Sequence, residues 1–230
     1  MASHLRLTSF TDRYPYLGPA IWFATLEYFV VQAVVASKWP TRYSLLLNPI
    51  SDLGNTRCGV YDGRYVCSPR HGLMNLAFVV LGLLMVVGAP LIHQEFLERR
   101  LAVVGFWGMA IAGLGTALVG VSPENVNHTF HVLGAAGPFL IGNAALIVLS
   151  CTLTMSRSIR IATAVAGGVG LVGLVFFALG VDLGLGQGGM ERVAAYPQTI
   201  WLIVFGVYMS TNHYVSRRRM RALGLGGSAA

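Results

Sequence analysis

Residues 101–121 read LAVVGFWGMAIAGLGTALVGV, a run with no charged side chain and Thr116 as its one hydroxyl. At about 1.5 Å of rise per residue, a helix of this length crosses a hydrocarbon core of about 30 Å. In lipid every backbone N–H and C=O has to be paired within the segment, which leaves helix as its conformation. Five more runs have the same character: Leu17–Ser37, Pro69–Leu91, Pro123–Leu153, Ile161–Leu183 and Tyr196–Tyr214.

The whole chain agrees with these runs. Of its 230 residues 55% are hydrophobic and 11% charged, against roughly 25% charged in an ordinary soluble domain. The spans use up most of the length and leave no room for a soluble catalytic domain. The first run is as long as a full span and leads to no small-x-small cleavage site before a polar mature domain, so it reads as a span and not as a signal peptide. The expected fold is an all-α membrane protein, a six-transmembrane-helix bundle. Residues 1–16 form an N-terminal segment, 17–215 the membrane domain and 216–230 a basic tail.

The net charge of +7 sits in the connectors, which gives it a topological meaning. Arg6, Arg13, Arg99, Arg100, Arg157, Arg160, Arg217, Arg218, Arg219 and Arg221 fall on one side if both termini are cytoplasmic. No interleaving of basic and aromatic residues suggests base stacking, so nucleic acid is not an expected partner. The expected location is the cell membrane, multi-pass, with both termini cytoplasmic. The residues opposed to the charge rule are Lys38, Arg42, Arg57, Arg64 and Arg70 in and beside the connector 38–68, plus Arg192.

That connector carries its own evidence. In the stretch 58–67, Asp62-Gly63 is a type I′ turn signal flanked by Val60, Tyr61, Tyr65 and Val66. Counting outward from the turn, Tyr61 faces Arg64, Val60 faces Tyr65, Gly59 faces Val66 and Cys58 faces Cys67, the last a pair with close side chains. The reading is a small extracytoplasmic β-hairpin lid closed by a Cys58–Cys67 disulfide; two thiols or half a metal site are the alternatives. A disulfide implies an oxidising compartment. Cys151 reads as a packing residue deep in the fourth span.

Three spans open with proline: Ser68-Pro69, Ser122-Pro123 and Tyr196-Pro197. Proline suits the first helical position and serine the cap before it. If the second, fourth and sixth helix starts converge, their N–H groups, with Arg70 and Arg192 beside two of them, suit an anion. With a helix from Pro123, Glu124, His128 and His131 lie on one stripe at i, i+4 and i+7. His71 falls at the matching depth of the second span. Glu124 would orient an imidazole, or His71, His128 and His131 would hold zinc; the alternative is histidines bonded to loop carbonyls and water. Asn48-Pro49-Ile50-Ser51-Asp52-Leu53-Gly54-Asn55 has the grammar of a short helical turn, aiming Ser51 and Asp52 at the histidines, with Asn55 beside them. No Gly-x-Ser-x-Gly elbow is present. Glu191 and Arg192 precede Tyr196 and would bridge the vestibule; Tyr196 and Trp201 also read as an aromatic belt. Glu27, with Gln32, is an ionisable group inside the first span: a functional site, or a carboxyl bonded to a neighbour such as Asn143. The depths of the histidines do not suit haem.

Three segments together carry a family resemblance: Asn48–Gly54, Ser122-Pro123-Glu124 through His128 and His131, and Gly189-Met190-Glu191-Arg192 before Trp201. With six spans, the chain resembles the domain-of-unknown-function family 998 of bacterial and archaeal membrane proteins and, more distantly, the Frag/Sfk-type proteins linked to lipid handling. The resemblance implies Ser51, Asp52, Glu124, His128, His131, Glu191 and Arg192 as matching positions and assigns no reaction. A looser similarity, through Ser, Asp and His, is to the seven-span alkaline ceramidase and adiponectin-receptor amidohydrolases. Those have His-x-x-x-His where this chain has His-x-x-His.

The expected function is an outward-facing polar vestibule that binds, and in one version processes, an anionic or amide-bearing lipid headgroup. Catalytic candidates are Asp52, His71, Glu124, His128 and His131; binding candidates are Ser51, Asn55, Arg70, Glu191, Arg192 and Tyr196. A zinc-dependent lipid hydrolase and an accessory subunit of a larger membrane complex are the alternatives. The expected partners are membrane lipid and either a second copy of the chain or such a complex.

Overall fold

A computed structural model describes residues 13–96 and 100–222, the last six of these by backbone only. Arg6, Arg99, the tail residues 223–230 and the side chains of Arg217, Arg218, Arg219 and Arg221 lie outside that description. Among the described residues six helices are long and apolar enough to cross a membrane. They are α1 Leu17–Ala36, tightened to a 3₁₀ turn over Ala24–Leu26, α2 His71–His93 and α3 Arg100–Val121. Then come α4 His128–Thr152, α5 Arg157–Ala178 and α6 Gly186–Ala222. Each helix packs on its neighbours in sequence, and α6 returns to α1, closing a ring.

The bundle is apolar outside as well as inside, as a lipid-facing surface requires. Val104, Trp107, Ile111 and Leu114 are exposed along α3, and Val165, Val169, Val172 and Val175 along α5. Polar groups turn inward instead. Small residues let helices touch by backbone: a Cβ at Gly82 of α2 would stand 2.4 Å from the Gly113 carbonyl of α3. Close approach of this kind replaces the hydrophobic drive that lipid cannot supply. At the core, Trp22 packs edge-on to Trp201 at 5.6 Å, and Trp201 stacks on Phe205 at 4.5 Å. Trp201 is buried and donates Nε1–H to Thr163 Oγ1 at 2.8 Å. It is a core residue and not part of an interfacial belt.

The two ends differ. At one, the start of α1 meets the end of α6 through Tyr16 and His213, 5.8 Å apart edge-on, and His213 pairs with Glu95 at 3.1 Å. At the other lies the hairpin, β1 Gly59–Tyr61 and β2 Arg64–Val66, with the register Gly59–Val66, Val60–Tyr65 and Tyr61–Arg64. Asp62 and Gly63 both have positive φ, 48° and 74°, as a type I′ turn demands. Cys58 and Cys67 are joined, with their Cα atoms 4.1 Å apart. We call this the lid end.

Several helix boundaries differ from the sequence reading. Helix α2 starts at His71, because Ser68 donates its hydroxyl to the Leu53 carbonyl at 2.7 Å and does not cap. Helix α4 starts at His128: Pro123 opens a separate turn that accepts from the Val126 and Asn127 amides, and Asn127 Oδ1 then caps by accepting from Phe130 N at 3.2 Å. Proline at 138 falls in a π-helical segment, Gly137–Gly142. Helix α6 starts some ten residues before Pro197, which lies inside it. So the three proline-led helix starts are not formed. Helix α5 also runs earlier than expected, ending at Ala178 and not at Leu183. Cys151 is exposed on the bundle surface, not packed within it.

Candidate functional site

The connector 38–68 folds back over the lid end because the start of α6 gives it a backbone surface to lie on. A Cβ at Gly186 would stand 2.4 Å from the Leu46 carbonyl, and one at Gly188 2.3 Å from the Asn48 carbonyl. Gly189 donates its N–H to Leu46 O at 3.0 Å. Arg192 completes the fastening. Its Nη1 donates to the carbonyls of Leu45, Asn48 and Gly188 at 2.8, 2.9 and 2.7 Å, its Nη2 to Tyr43 Oη at 2.6 Å and its Nε to Tyr196 Oη at 3.1 Å. Tyr196 in turn donates to Gln32 Oε1 at 2.8 Å. Arg192 is thus a clasp for the connector. It does not bridge to Glu191, and its guanidinium is spent on carbonyls and phenols.

The clasp delivers the 3₁₀ turn Ser51–Gly54 to the histidines. Ser51 Oγ lies 3.0 Å from His131 Nε2 and 3.0 Å from Glu191 Oε1. Glu191 Oε2 accepts from the Ile50 amide. His131 Nδ1 lies 2.9 Å from the Ser122 carbonyl. A carbonyl only accepts, so Nδ1 carries the proton. Nε2 of a neutral ring is then an acceptor facing Ser51 Oγ, whose one proton has Nε2 and Glu191 Oε1 as its two acceptors.

Asp52 points away from this trio and is fully buried. Arg64 of the lid grips it with Nη2 to Oδ1 at 2.7 Å and Nε to Oδ2 at 2.9 Å, while Asn48 Nδ2 adds a bond at 3.2 Å. Burial would lower the Arg64 guanidinium, but the bonds and charge of Asp52 outweigh it and hold it above its usual range. Arg64 also reaches Asp62 at 3.0 Å. Tyr61 donates to the Glu124 carbonyl at 3.1 Å and meets His128 Nδ1 at 3.4 Å. Thr56 and Asn125 exchange two further bonds, of 3.1 and 3.0 Å. Glu124 is buried beside these groups. Burial first, then the Asp52 and Glu191 carboxylates, push it up to about 8. Its carboxyl also hydrogen-bonds the Asp52 side chain, while its Oε1 has no partner among the described residues.

These residues edge a cavity of about 760 Å³. Tyr61, Asp62, Arg64, Glu124 and His128 line its lid end, and Ser51, His131 and Glu191 its inner side. Val132, Ala135, Phe139, Leu174 and Phe177 continue it as an apolar wall between α4 and α5. A second, smaller space of about 40 Å³ lies beside Ser51, His131 and Glu191 and reaches Gln198.

Of the sequence candidates, Ser51, Glu124, His128, His131 and Glu191 gather at the cavity, with Asp52 one layer behind. Glu124 does so from the turn before α4, so the expected single helical stripe is not the reason. His71 does not join them: its Nδ1 faces the Ser68 carbonyl at 3.0 Å, and it lines neither space. Arg70 is exposed and equally remote from the lining. The second helix therefore contributes no residue to the larger cavity, where α5 takes its place; its Phe78, Leu81 and Met85 line the smaller space instead. Asn55 is buried, with Oδ1 accepting from Arg57 N at 3.3 Å. Tyr196 belongs to the clasp. Among the described residues no three metal-ligating side chains converge, and the donor set for zinc is not assembled. In α1, Glu27 has a buried Oε1 without a partner. Asn143 is not its neighbour, since that amide donates to Phe139 O and Ala194 O at 2.8 and 2.9 Å. Sequence reasoning missed the roles of Arg64 and Tyr43. A lone arginine in a hairpin facing a distant aspartate leaves no local signal.

Six spanning helices and a polar site sunk into one end define a multi-pass membrane protein. The family model described as "Protein of unknown function (DUF998)" matches residues 22–208, and the chain belongs to that family. No curated protein and no solved structure matches the chain.

Proposed function

We propose that the protein binds an acyl-chain amphiphile of the membrane, its headgroup under the lid and its chain along α4 and α5. One observation carries this reading. A single cavity changes from polar to apolar along its length, from Tyr61, Glu124 and His128 to Val132, Phe139 and Phe177. A lipid has the same sequence of chemistry along its own axis, and such a site buries the chain while a few polar groups orient the head.

The headgroup on this reading bears an amide, amine or hydroxyl and is not a bare anion. Both arginines near the site are engaged, Arg192 by carbonyls and Arg64 by Asp52 and Asp62. The carboxyls of Glu124, protonated below about pH 8, and Glu191 remain on the lining as hydrogen-bonding groups. The lid faces outward and both termini are cytoplasmic, in the cell membrane. The disulfide favours an oxidising compartment at the lid end, and Arg100, Arg157 and Arg160 lie in the first turns of α3 and α5 at the opposite end.

Native mass spectrometry of protein extracted in mild detergent tests the binding. A lipid with such a headgroup is expected to stay bound, and Ala136→Trp, which fills the groove from an exposed position, is expected to release it without changing the elution profile. Equal retention by the variant, or no retained lipid in either protein, refutes the site and leaves the accessory-subunit reading.

A further inference from the structure

We infer that Ser51 is a nucleophile for acyl transfer, with His131 as its base, acting on the carboxylic ester or amide bond of the amphiphile. The inference rests on the binding reading above and names the chemistry of the same site.

Position comes first. Ser51 lies where the polar lining of the cavity gives way to its apolar wall, with His131 and Glu191 on the same inner side. An acyl amphiphile has its carbonyl carbon at that same junction, between head and chain. A hydroxyl placed there meets the one electrophile such a molecule carries.

Geometry comes second. The distance of 3.0 Å from Ser51 Oγ to His131 Nε2 is within direct proton-transfer reach. The base is itself oriented: Nδ1–H is tied to the Ser122 carbonyl at 2.9 Å, which fixes the tautomer with its lone pair on Nε2. A nucleophile, a base on it and a group orienting the base are the three parts that such catalysis needs. The connector supplies the first, α4 the second and the end of α3 the third. Glu191 is a positioning residue. Its Oε2 is held by the Ile50 amide, and Oε1 accepts from Ser51 Oγ at 3.0 Å, which holds the serine oxygen beside the imidazole.

The step balances without a metal or a redox partner. Ser51 Oγ bonds to the carbonyl carbon as its proton passes to His131 Nε2. The tetrahedral oxyanion collapses, the bond to the leaving oxygen or nitrogen breaks, and His131 returns the proton to that leaving atom. Water then attacks the acyl-serine carbon, giving its proton to His131, and the carboxylic acid departs as Ser51 Oγ recovers a proton. The net change is ester or amide plus water to acid plus alcohol or amine.

The test uses the full chain in detergent with two probes, a long-chain alkyl fluorophosphonate and p-nitrophenyl octanoate. Peptide mapping is expected to find the phosphonate on Ser51, and Ser51→Ala is expected to abolish both label and nitrophenol release. His131→Gln should slow both by about 10²–10⁴-fold, the usual range for a general base, with the lid disulfide and elution profile retained. Glu191→Gln should lower kcat with KM unchanged. Labelling at another serine, or a wild-type rate in His131→Gln, overturns the inference. If wild type retains lipid but neither probe reacts, the chemistry falls and the binding reading stands. If Ser51 reacts but no lipid is retained, the nucleophile stands and the natural acyl donor is not a membrane lipid.

Discussion

Replacing Arg64 by methionine should unhook the lid at a cost far above that of a surface ion pair. Asp52 is fully buried, and Arg64 supplies contacts to it at 2.7, 2.9 and 3.2 Å. Without them the carboxylate keeps the Asn48 amide at 3.2 Å and the neighbouring Glu124 carboxyl, and no cation. A buried charge stripped of its partner costs about 3–5 kcal/mol. The reverse change, Asp52→Asn, should cost less, about 1.5–3 kcal/mol. Arg64 is 23% exposed, can hydrate and keeps Asp62 at 3.0 Å. The double variant Asp52→Asn, Arg64→Met removes both charges and should be less damaged than Arg64→Met alone, a coupling of at least about 2 kcal/mol. Unfolding in mixed detergent and SDS micelles reads all four proteins, and the rate at which a reductant opens Cys58–Cys67 reports the lid by itself. A loss below about 1 kcal/mol in Arg64→Met, the scale of an exposed pair, would refute the view that this bridge holds the lid.

Glu124 sets a pH dependence. Its folded-state pKa is raised from 4.5 to about 8, so the folded chain keeps a proton that the unfolded chain releases. The stability this carries is complete below 4.5 and lost as pH rises to about 8, with a slope of at most ~1.4 kcal/mol per pH unit. Glu124→Gln should flatten the curve over that interval; an unchanged slope assigns the dependence elsewhere. Gly82→Val should prevent α2 and α3 from closing, since its Cβ would face backbone at 2.4 and 2.6 Å, whereas Gly168→Ala, with nothing within 4 Å, should be neutral. Size-exclusion profiles separate the two, and a monodisperse Gly82→Val protein would argue against the packing described. With Cys151 replaced, a cysteine at Val126 should react with an impermeant maleimide added to intact cells, and one at Ser158 should not; the opposite pattern inverts the proposed orientation.

The site was legible in part. Ser51, Glu124, His128, His131 and Glu191 were all singled out from sequence, and all line the cavity. The sequence groups Glu124, His128 and His131 through a continuous helix from Pro123, and that helix does not form, because the Pro123 turn closes on itself and Asn127 caps afresh. The sequence places His71 by equating depth in the membrane with proximity, and Arg70 by supposing that the second, fourth and sixth helix starts converge. Depth is one coordinate; the order of helices around the ring supplies the other, and it puts α5 at the cavity instead of α2.

By itself the sequence determined the six spans, the hairpin register and the Cys58–Cys67 pairing, because each depends on residues close along the chain. Twenty apolar residues have one conformation available in lipid, and a two-residue turn sets every pair behind it. Only the tertiary structure decided that Ser51 meets His131 and Glu191, that Arg64 serves Asp52 and that Arg192 clasps the connector. Those partners lie 80 and 140, 12 and 147 positions apart. Whether they meet depends on how the helices are arranged around the ring and on glycines that let a connector lie against helix backbone, and neither leaves a periodic trace in sequence.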